Sequence, residues 1–315
     1  MAKICLVTYT REGEIFTERL KEIADAFYKK YGNQFKVVVC CETRFDIRRF
    51  PYEVELFESN GTKYRRLIAL MESDDSEYYL SVDNDITGNN VSMVKLVDEV
   101  IEGGYDIGWG LIRAEKMKGV ISNLVAVDKL LSHNIIRPFL WKIGCGISVP
   151  GQIFCVKTKS YRRKLIDIDT FLDDVALGLY TNVNGLKKYM TRDILGDERP
   201  NSSFWGLWNQ RSRWAKGYAS ILMGVEGNRK YKKLVLIHGL SYHASWLVIW
   251  MCILFLACLS WKISLSAFLM LALIVSITDL KEFMFAVIYL MVFPVFHIRW
   301  FGVMIGELVK KGKVH

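Results

Sequence analysis

The chain has 315 residues, 51% of them hydrophobic and 24% charged, with Lys+Arg 42 against Asp+Glu 33 and a formal charge of +9. The apolar share excludes a disordered chain, and its coexistence with so many charges suggests a soluble part joined to a membrane part. The basic excess suits phosphorylated substrates or anionic lipid; no basic–aromatic groove pattern accompanies it, which argues against a nucleic-acid partner.

Lys3–Thr10 is a short apolar, β-branched run and predicts a strand. Glu14–Tyr31 carries Ile15, Phe16, Leu20, Ile23, Ala24 and Phe27 at helical spacing. Phe35–Cys41 predicts the next strand, Lys63–Met71 a helix and Tyr78–Val82 a strand. Strands separated by helices of this length imply an α/β fold with a mostly parallel sheet, whose ligands bind at the carboxyl ends of the strands.

The composition changes near residue 233. Leu234–Trp261 is 28 residues without Asp, Glu, Lys or Arg; Ile263–Thr278 adds 16 and Phe283–Phe296 another 14. A bilayer-crossing helix needs about 20 apolar residues, so the first run qualifies and the others are marginal. The expected division is a cytosolic domain over 1–233, interfacial from about 200, and a membrane domain over 234–315 with two to four transmembrane or interfacial helices. Arg229, Lys230, Lys232 and Lys233 precede the apolar region and Lys310, Lys311 and Lys313 follow it. Both flanks therefore read as cytoplasmic, which calls for an even number of crossings, so either one of the three segments lies in the interface or the last bends back near Pro294. No apolar leader follows Met1, so the catalytic domain is expected in the cytoplasm, at a bacterial inner membrane. Seven cysteines without a C-x-x-C pattern suggest no disulfide framework and a reducing compartment.

Three short motifs could carry chemistry. Asp83-Asn84-Asp85 directly follows the strand ending at Val82; two carboxylates there can share a divalent cation with a phosphate or ribose. A second D-x-D, Asp167 and Asp169, shows that this motif alone is weak. Asp173 and Asp174 open an apolar helical stretch running to Gly178 and supply either an N-terminal charge cap or a general base. Gln210-Arg-Ser-Arg-Trp214 offers forked donors for a diphosphate and a flat face for a sugar ring, or a basic aromatic segment on lipid headgroups.

In order and spacing, D-x-D, D-D-x-x-L-G about 90 residues on, Q-x-x-R-W about 37 later and then apolar helices, the chain resembles the membrane-bound family 2 glycosyltransferases. These include cellulose, chitin and hyaluronan synthases and ceramide glucosyltransferases. The resemblance covers residues 1 to about 220 as a GT-A catalytic domain, and the helices beyond in outline. It implies that Asp83 and Asp85 hold Mg²⁺ or Mn²⁺ and the nucleotide sugar, and that Asp174 is the catalytic base, with Leu172-Asp173 in place of the usual Thr-Glu. It further implies that Gln210 and Arg213 close on the diphosphate, and that Trp214, Asp173 and Gln152, the last within Gly151-Gln-Ile-Phe154, serve the acceptor. Glu42 stands in for the usual base-reading Asp after the second strand. Thr8 is placed to meet the base or ribose, and Lys63, in Asn60-Gly61-Thr62-Lys63, to approach the nucleotide.

The reaction so implied is inverting transfer of a sugar from a UDP-sugar to a glycan or lipid-linked acceptor at the bilayer. A polysaccharide product would call for a homo-oligomer or export partner, since so few helices make no channel in one chain. Single-sugar transfer to a lipid and a catalytically silent subunit of a polysaccharide-synthesis complex are the competing expectations.

Overall fold

A computed structural model describes residues 2–10, 17–45, 54–162 and 168–312. The chain begins β1 (Ile4–Tyr9), α1 (Thr17–Tyr31), β2 (Phe35–Cys41), β3 (Val54–Glu58), α2 (Lys63–Ser73), β4 (Tyr78–Val82) and β5 (Ile86–Gly88). It continues with α3 (Asn90–Glu102), β6 (Ile107–Ala114), α4 (Val120–Leu130), α5 (Arg137–Lys142), β7 (Ile153–Lys157), α6 (Thr158–Tyr161), α7 (Asp173–Val183) and β8 (Lys188–Glu198). The remainder is helical: α8 (Phe204–Gly224), α9 (Arg229–Gly239), α10 (Ser245–Leu259), α11 (Trp261–Val275), α12 (Phe283–Val292) and α13 (Pro294–Gly312). The strands expected at 35–41 and 78–82 form over those residues. Ile15, Phe16 and Asp167 lie outside the described residues.

Two compact units result: Met1–Arg113 with Ile147–Arg199, and Ala114–Gly146 with Pro200–His315. The boundary expected at 233 falls inside the second unit, which also takes in the segment carrying α4 and α5.

The first unit is built on an eight-stranded sheet ordered β3-β2-β1-β4-β7-β6-β8-β5. Its parallel pairs are β1 with β2, β2 with β3, and β1 with β4. β7 runs antiparallel to both β4 and β6, and β5 pairs antiparallel with β8. The fold is the expected α/β GT-A type, but its sheet is mixed rather than mostly parallel. β2 and β3 lie on one side of β1 and β4 on the other, so the strand order reverses between β1 and β4, where open α/β sheets place ligands. The fully buried Leu6, Val37, Val39 and Leu80 alternate with residues facing the opposite side, and Phe27, Val97 and Cys155 join them in one core.

Asp74, just after α2, ties this core to the sheet. Its carboxylate accepts from Lys36, from Ser76 N at 3.0 Å and from Tyr79 Oη at 2.5 Å. Burial by itself would raise this carboxyl, but those bonds outweigh it and hold Asp74 well below its ordinary value. A depressed carboxyl pKa stabilises the fold above the unfolded value of about 4 and ceases to do so as the pH falls through the folded one. Asp74→Asn is therefore expected to cost about 2 kcal/mol at neutral pH, and the gap to wild type should close in strong acid. Denaturant unfolding of both proteins at pH 7 and at pH 2 measures it; an equal gap at both would remove the linkage.

Gly178 lets α7 approach the chain at Ile147. A Cβ there would lie 2.3 Å from the Ile147 carbonyl oxygen and 2.6 Å from its carbon, backbone atoms with no room to give. Gly178→Ala is expected to destabilise by at least about 1–3 kcal/mol, read as a lower thermal midpoint.

In the second unit, α12 packs on α4, and α13 lies along α8. Leu124, Val127, Trp246, Tyr289, Phe293 and Phe296 form its core. Among the described residues, one continuous helical stretch, Arg229–Leu259, is long and apolar enough to cross a membrane; little of its most apolar window is buried, although Leu234, Val235 and Trp246 are. The pair Leu280–Val292 and Pro294–Lys310 would qualify as one broken span bent by 43°. That break falls at Pro294, whose missing N–H and ring interrupt a helix. Trp261–Val275 is apolar but shorter.

Candidate functional site

The site in the first unit lies at the carboxyl edge of the parallel strands. Thr8 near the end of β1, Glu42 just after β2 and Asp83 just after β4 arrive there because these strands are parallel. β7 arrives from the opposite direction. The register Val82↔Ile153 sets Gln152 opposite Asp83, whose N–H donates to the Gln152 carbonyl at 2.9 Å. Antiparallel pairing thus brings together two motifs some 70 residues apart.

Lys63, the first residue of α2, is the centre of this edge. Its Nζ lies 2.7 Å from Asp83 Oδ1 and 3.2 Å from Asp173 Oδ2, and also donates to the Gly151 carbonyl. The rings of Tyr9 and Phe154 stand 5.1 and 5.4 Å from it. Burial alone would lower this ammonium, but Asp173 and Asp83 hold it above its ordinary value. Asp83 is pushed up to about 7: burial is the largest cause, Lys63 opposes it, and Asp173 and Asp85 add like charge.

The two carboxylates opening α7 differ. Asp173 is buried and belongs to Lys63. Asp174 is half-buried and lies beside Gly151, where a Cβ would come within 3.3 Å of the Asp174 Cβ. Gln152, expected near the acceptor, donates through Nε2 to Glu198 at 2.7 Å.

Glu42, expected to read the base, is held by Arg66. Arg66 is 2% exposed and also donates to the Thr10 carbonyl at 2.8 Å and the Gly61 carbonyl at 3.1 Å. Gly61 has φ +98°, which favours glycine before α2. Arg66 therefore ties together the segments after β1, after β2 and before α2. Its signal was an arginine within the apolar stripe Tyr64, Leu67, Leu70 and Met71, all buried.

A small cleft, with room for about one water molecule, is lined by Thr8, Arg19, Leu20, Asp83, Asn84 and Ile86. Among the described residues, Thr8 Oγ1 is buried there without a hydrogen-bond partner. Arg19, which the motif reading did not include, donates to the Asp85 carbonyl at 2.7 Å. A buried hydroxyl with no protein partner is costly, and a polar ligand in the cleft would satisfy it.

Among the described residues, no three His, Cys, Asp or Glu side chains gather to hold an ion by themselves. Asp83 and Asp85 supply two hard oxygen donors, and Mg²⁺ commonly takes one or two carboxylates and completes its shell from substrate phosphates. Crowded negative charge at Asp83 is what a cation would relieve. The donor set fits a cation shared with a diphosphate.

Gln210, Arg213 and Trp214 lie on α8 in the second unit. Arg213 is exposed, and Gln210 and Trp214 are half-buried. The motif's other arginine, Arg211, is buried and paired with Asp128 of α4. Of the two, Arg213 is the cation open to an incoming anion.

A sequence model of the family described as glycosyl transferase family group 2 matches residues 83–298. Among curated proteins none matches the chain in sequence. Of solved structures, mannosyltransferase PcManGT from Pyrobaculum calidifontis, in complex with GDP-Man and Mn²⁺, is similar over 98% of this chain and 88% of its own, with TM-score 0.59 and 12% identity. Glucosyl-3-phosphoglycerate synthase from Mycobacterium tuberculosis, in complex with Mn²⁺, UDP-glucose and phosphoglyceric acid, matches 71% of this chain and 80% of its own, with TM-score 0.51 and 14% identity. At these identities the likeness is one of fold.

Proposed function

The chain belongs to glycosyl transferase family group 2, and from that premise we propose that it is an inverting enzyme moving a sugar from a UDP-sugar to a membrane-associated glycan, forming a β-linked polysaccharide. The observation that carries this reading is the acidic edge itself. Asp83 and Asp85 sit where the strand order reverses, beside a cleft holding the unsatisfied Thr8 hydroxyl, and Asp174 stands half-buried next to Gly151. Thr8 meets the nucleoside, with Glu42 at the same edge beyond Arg66. Asp83 and Asp85 would hold Mg²⁺ or Mn²⁺, which would supply positive charge to offset that developing on the departing diphosphate. Asp174 takes the proton from the attacking acceptor hydroxyl, which reaches the anomeric carbon from the face opposite the leaving group. Arg213 adds positive charge for the diphosphate, with Gln210 one turn before it, and Trp214 gives the acceptor sugar a flat apolar face.

Membrane attachment is supported by Arg229–Leu259, whose first residues include Arg229, Lys230, Lys232 and Lys233 on the side read as cytoplasmic. An acceptor in the bilayer plane suits this arrangement. Detergent-purified protein, given membrane lipid and glycan extracts, is expected to release UDP from one sugar of a panel that also includes GDP-mannose, because one structural relative is bound to GDP-Man. Release should need Mn²⁺ or Mg²⁺ and stop in EDTA. A ladder by mass spectrometry supports the synthase, whereas one added hexose on a lipid supports the glycolipid reading. Failure to release any nucleotide would move the chain to a silent-subunit role.

A further inference from the structure

α8 presents Arg211 and Trp214 three residues apart, on one side of the helix. The Arg211 guanidinium lies 4.4 Å from the centroid of the Trp214 ring and 5.2 Å from that of Phe293. Its Nη2 is paired with Asp128 Oδ2, and the other oxygen of that carboxylate accepts from Tyr289 Oη at 2.8 Å. Arg211 is 6% exposed and Tyr289 1%. Among the described residues the Arg211 Nε has no hydrogen-bond partner, and its charge is compensated by Asp128. Three helices, α12, α4 and α8, therefore meet in one chain of contacts that ends on a half-buried indole.

A buried arginine that serves stability alone is poorly placed here. A charge removed from water costs several kcal/mol, repaid only when its geometry is excellent and its remaining donors are satisfied. Arg211 leaves one donor unsatisfied and spends a face of its guanidinium on an aromatic ring that is itself only half-buried. What the arrangement does supply is orientation. A half-buried tryptophan has alternative rotamers open to it. A cation fixed over one ring face favours the rotamer that keeps that contact. Arg211 can hold this position because Asp128 removes its own freedom, and Asp128 is held in turn by Tyr289.

We infer that Tyr289, Asp128 and Arg211 are positioning residues that set the indole of Trp214 for the acceptor sugar, an inference that rests on the reading of Trp214 as an acceptor contact. Arg211 occupies an unspecified position of Q-x-x-R-W, and Asp128 and Tyr289 lie outside every motif discussed above. The arrangement separates the two arginines of α8: Arg211 is committed to the ring and Arg213 remains for the anion.

The test uses the full-length protein labelled with 5-fluorotryptophan. Nine resonances are expected from its nine tryptophans, and Trp214→Phe identifies one of them. In Asp128→Asn and in Tyr289→Phe that resonance should shift or split and UDP affinity is kept, while the other resonances hold their places except that of Trp246, whose ring packs on Tyr289 at 5.4 Å. Asp128→Glu, which restores the charge, should return it toward the wild-type position. An unchanged Trp214 resonance in both variants would overturn the inference. If Asp128→Asn collapses all nine lines, Tyr289→Phe, which removes one hydroxyl and leaves the ion pair, decides alone. With the donor that turns over, the share of UDP release ending in free sugar should rise about three- to tenfold in both variants, the range a lost cation–π contact allows. In a Trp214→Ala background Asp128→Asn should raise it no further, because both act through the same ring. If Trp214→Ala itself leaves that share unchanged, the acceptor reading fails while the resonance data still report whether the ring is held.

Discussion

Asp174→Asn is expected to bind the nucleotide sugar as wild type does and to lose transfer by about 10²- to 10⁴-fold, the contribution of a positioned general base. The substitution keeps the shape of the side chain and removes its ability to take a proton. Asp174 opens α7 beside Gly151 and is half-buried. Its neighbour Asp173 is no substitute, because it is buried and already compensates Lys63. UDP binding by calorimetry, the thermal midpoint and transfer rate with the active donor separate the effects. Unchanged binding and midpoint with transfer nearly abolished supports the role. Transfer within a few-fold of wild type would take the base role away from Asp174.

Lys63→Met is expected to be the most destabilising single change at the site. It removes the cation between Asp83 and Asp173, at 2.7 and 3.2 Å from them, and leaves two poorly solvated carboxylates facing each other. Breaking a buried pair from one side costs about 3–5 kcal/mol; the lysine is 18% exposed, which favours the lower figure. Methionine fills similar space between Tyr9 and Phe154, so the loss reports charge more than a cavity. The thermal midpoint in EDTA should fall by several degrees. Addition of Mn²⁺ should raise the variant's midpoint more than that of wild type, since the cation then supplies the missing positive charge. Equal Mn²⁺ shifts in the two proteins would separate Lys63 from the cation site. A midpoint unchanged by the substitution would show that the carboxylates do not depend on it.

How much of this was legible in the chain varies by element. Phe35–Cys41 and Tyr78–Val82 stand out because strands buried on both faces are continuous apolar runs, and both fold over those residues. The Asp83 and Asp174 motifs stand out because each pairs carboxylates at the end of an apolar element. Antiparallel β7 was not legible, since a five-residue apolar run carries no record of its direction. Nor was the grouping of Ala114–Gly146 with the C-terminal helices, because α4 by its pattern is an ordinary apolar helix. The unlike fates of Asp173 and Asp174, and of Arg211 and Arg213, are decided by what lies opposite each side chain, and neighbours in sequence point to different sides of a helix.

The sequence by itself determined the family, the α/β class of the first unit, the apolar helices after residue 233 and the residue types available for metal, base and anion. Each is a property of local pattern: the period of hydrophobic residues, the length of a charge-free run, the order of short motifs. Only the tertiary structure decided which of those residues are already engaged. Lys63 is committed to two carboxylates, Glu42 to Arg66, Gln152 to Glu198, and Arg211 to Asp128 and the Trp214 ring. The physical reason is that pairing depends on strand direction and helix packing, which join residues between 20 and 161 positions apart, and no local pattern encodes a partner at that distance.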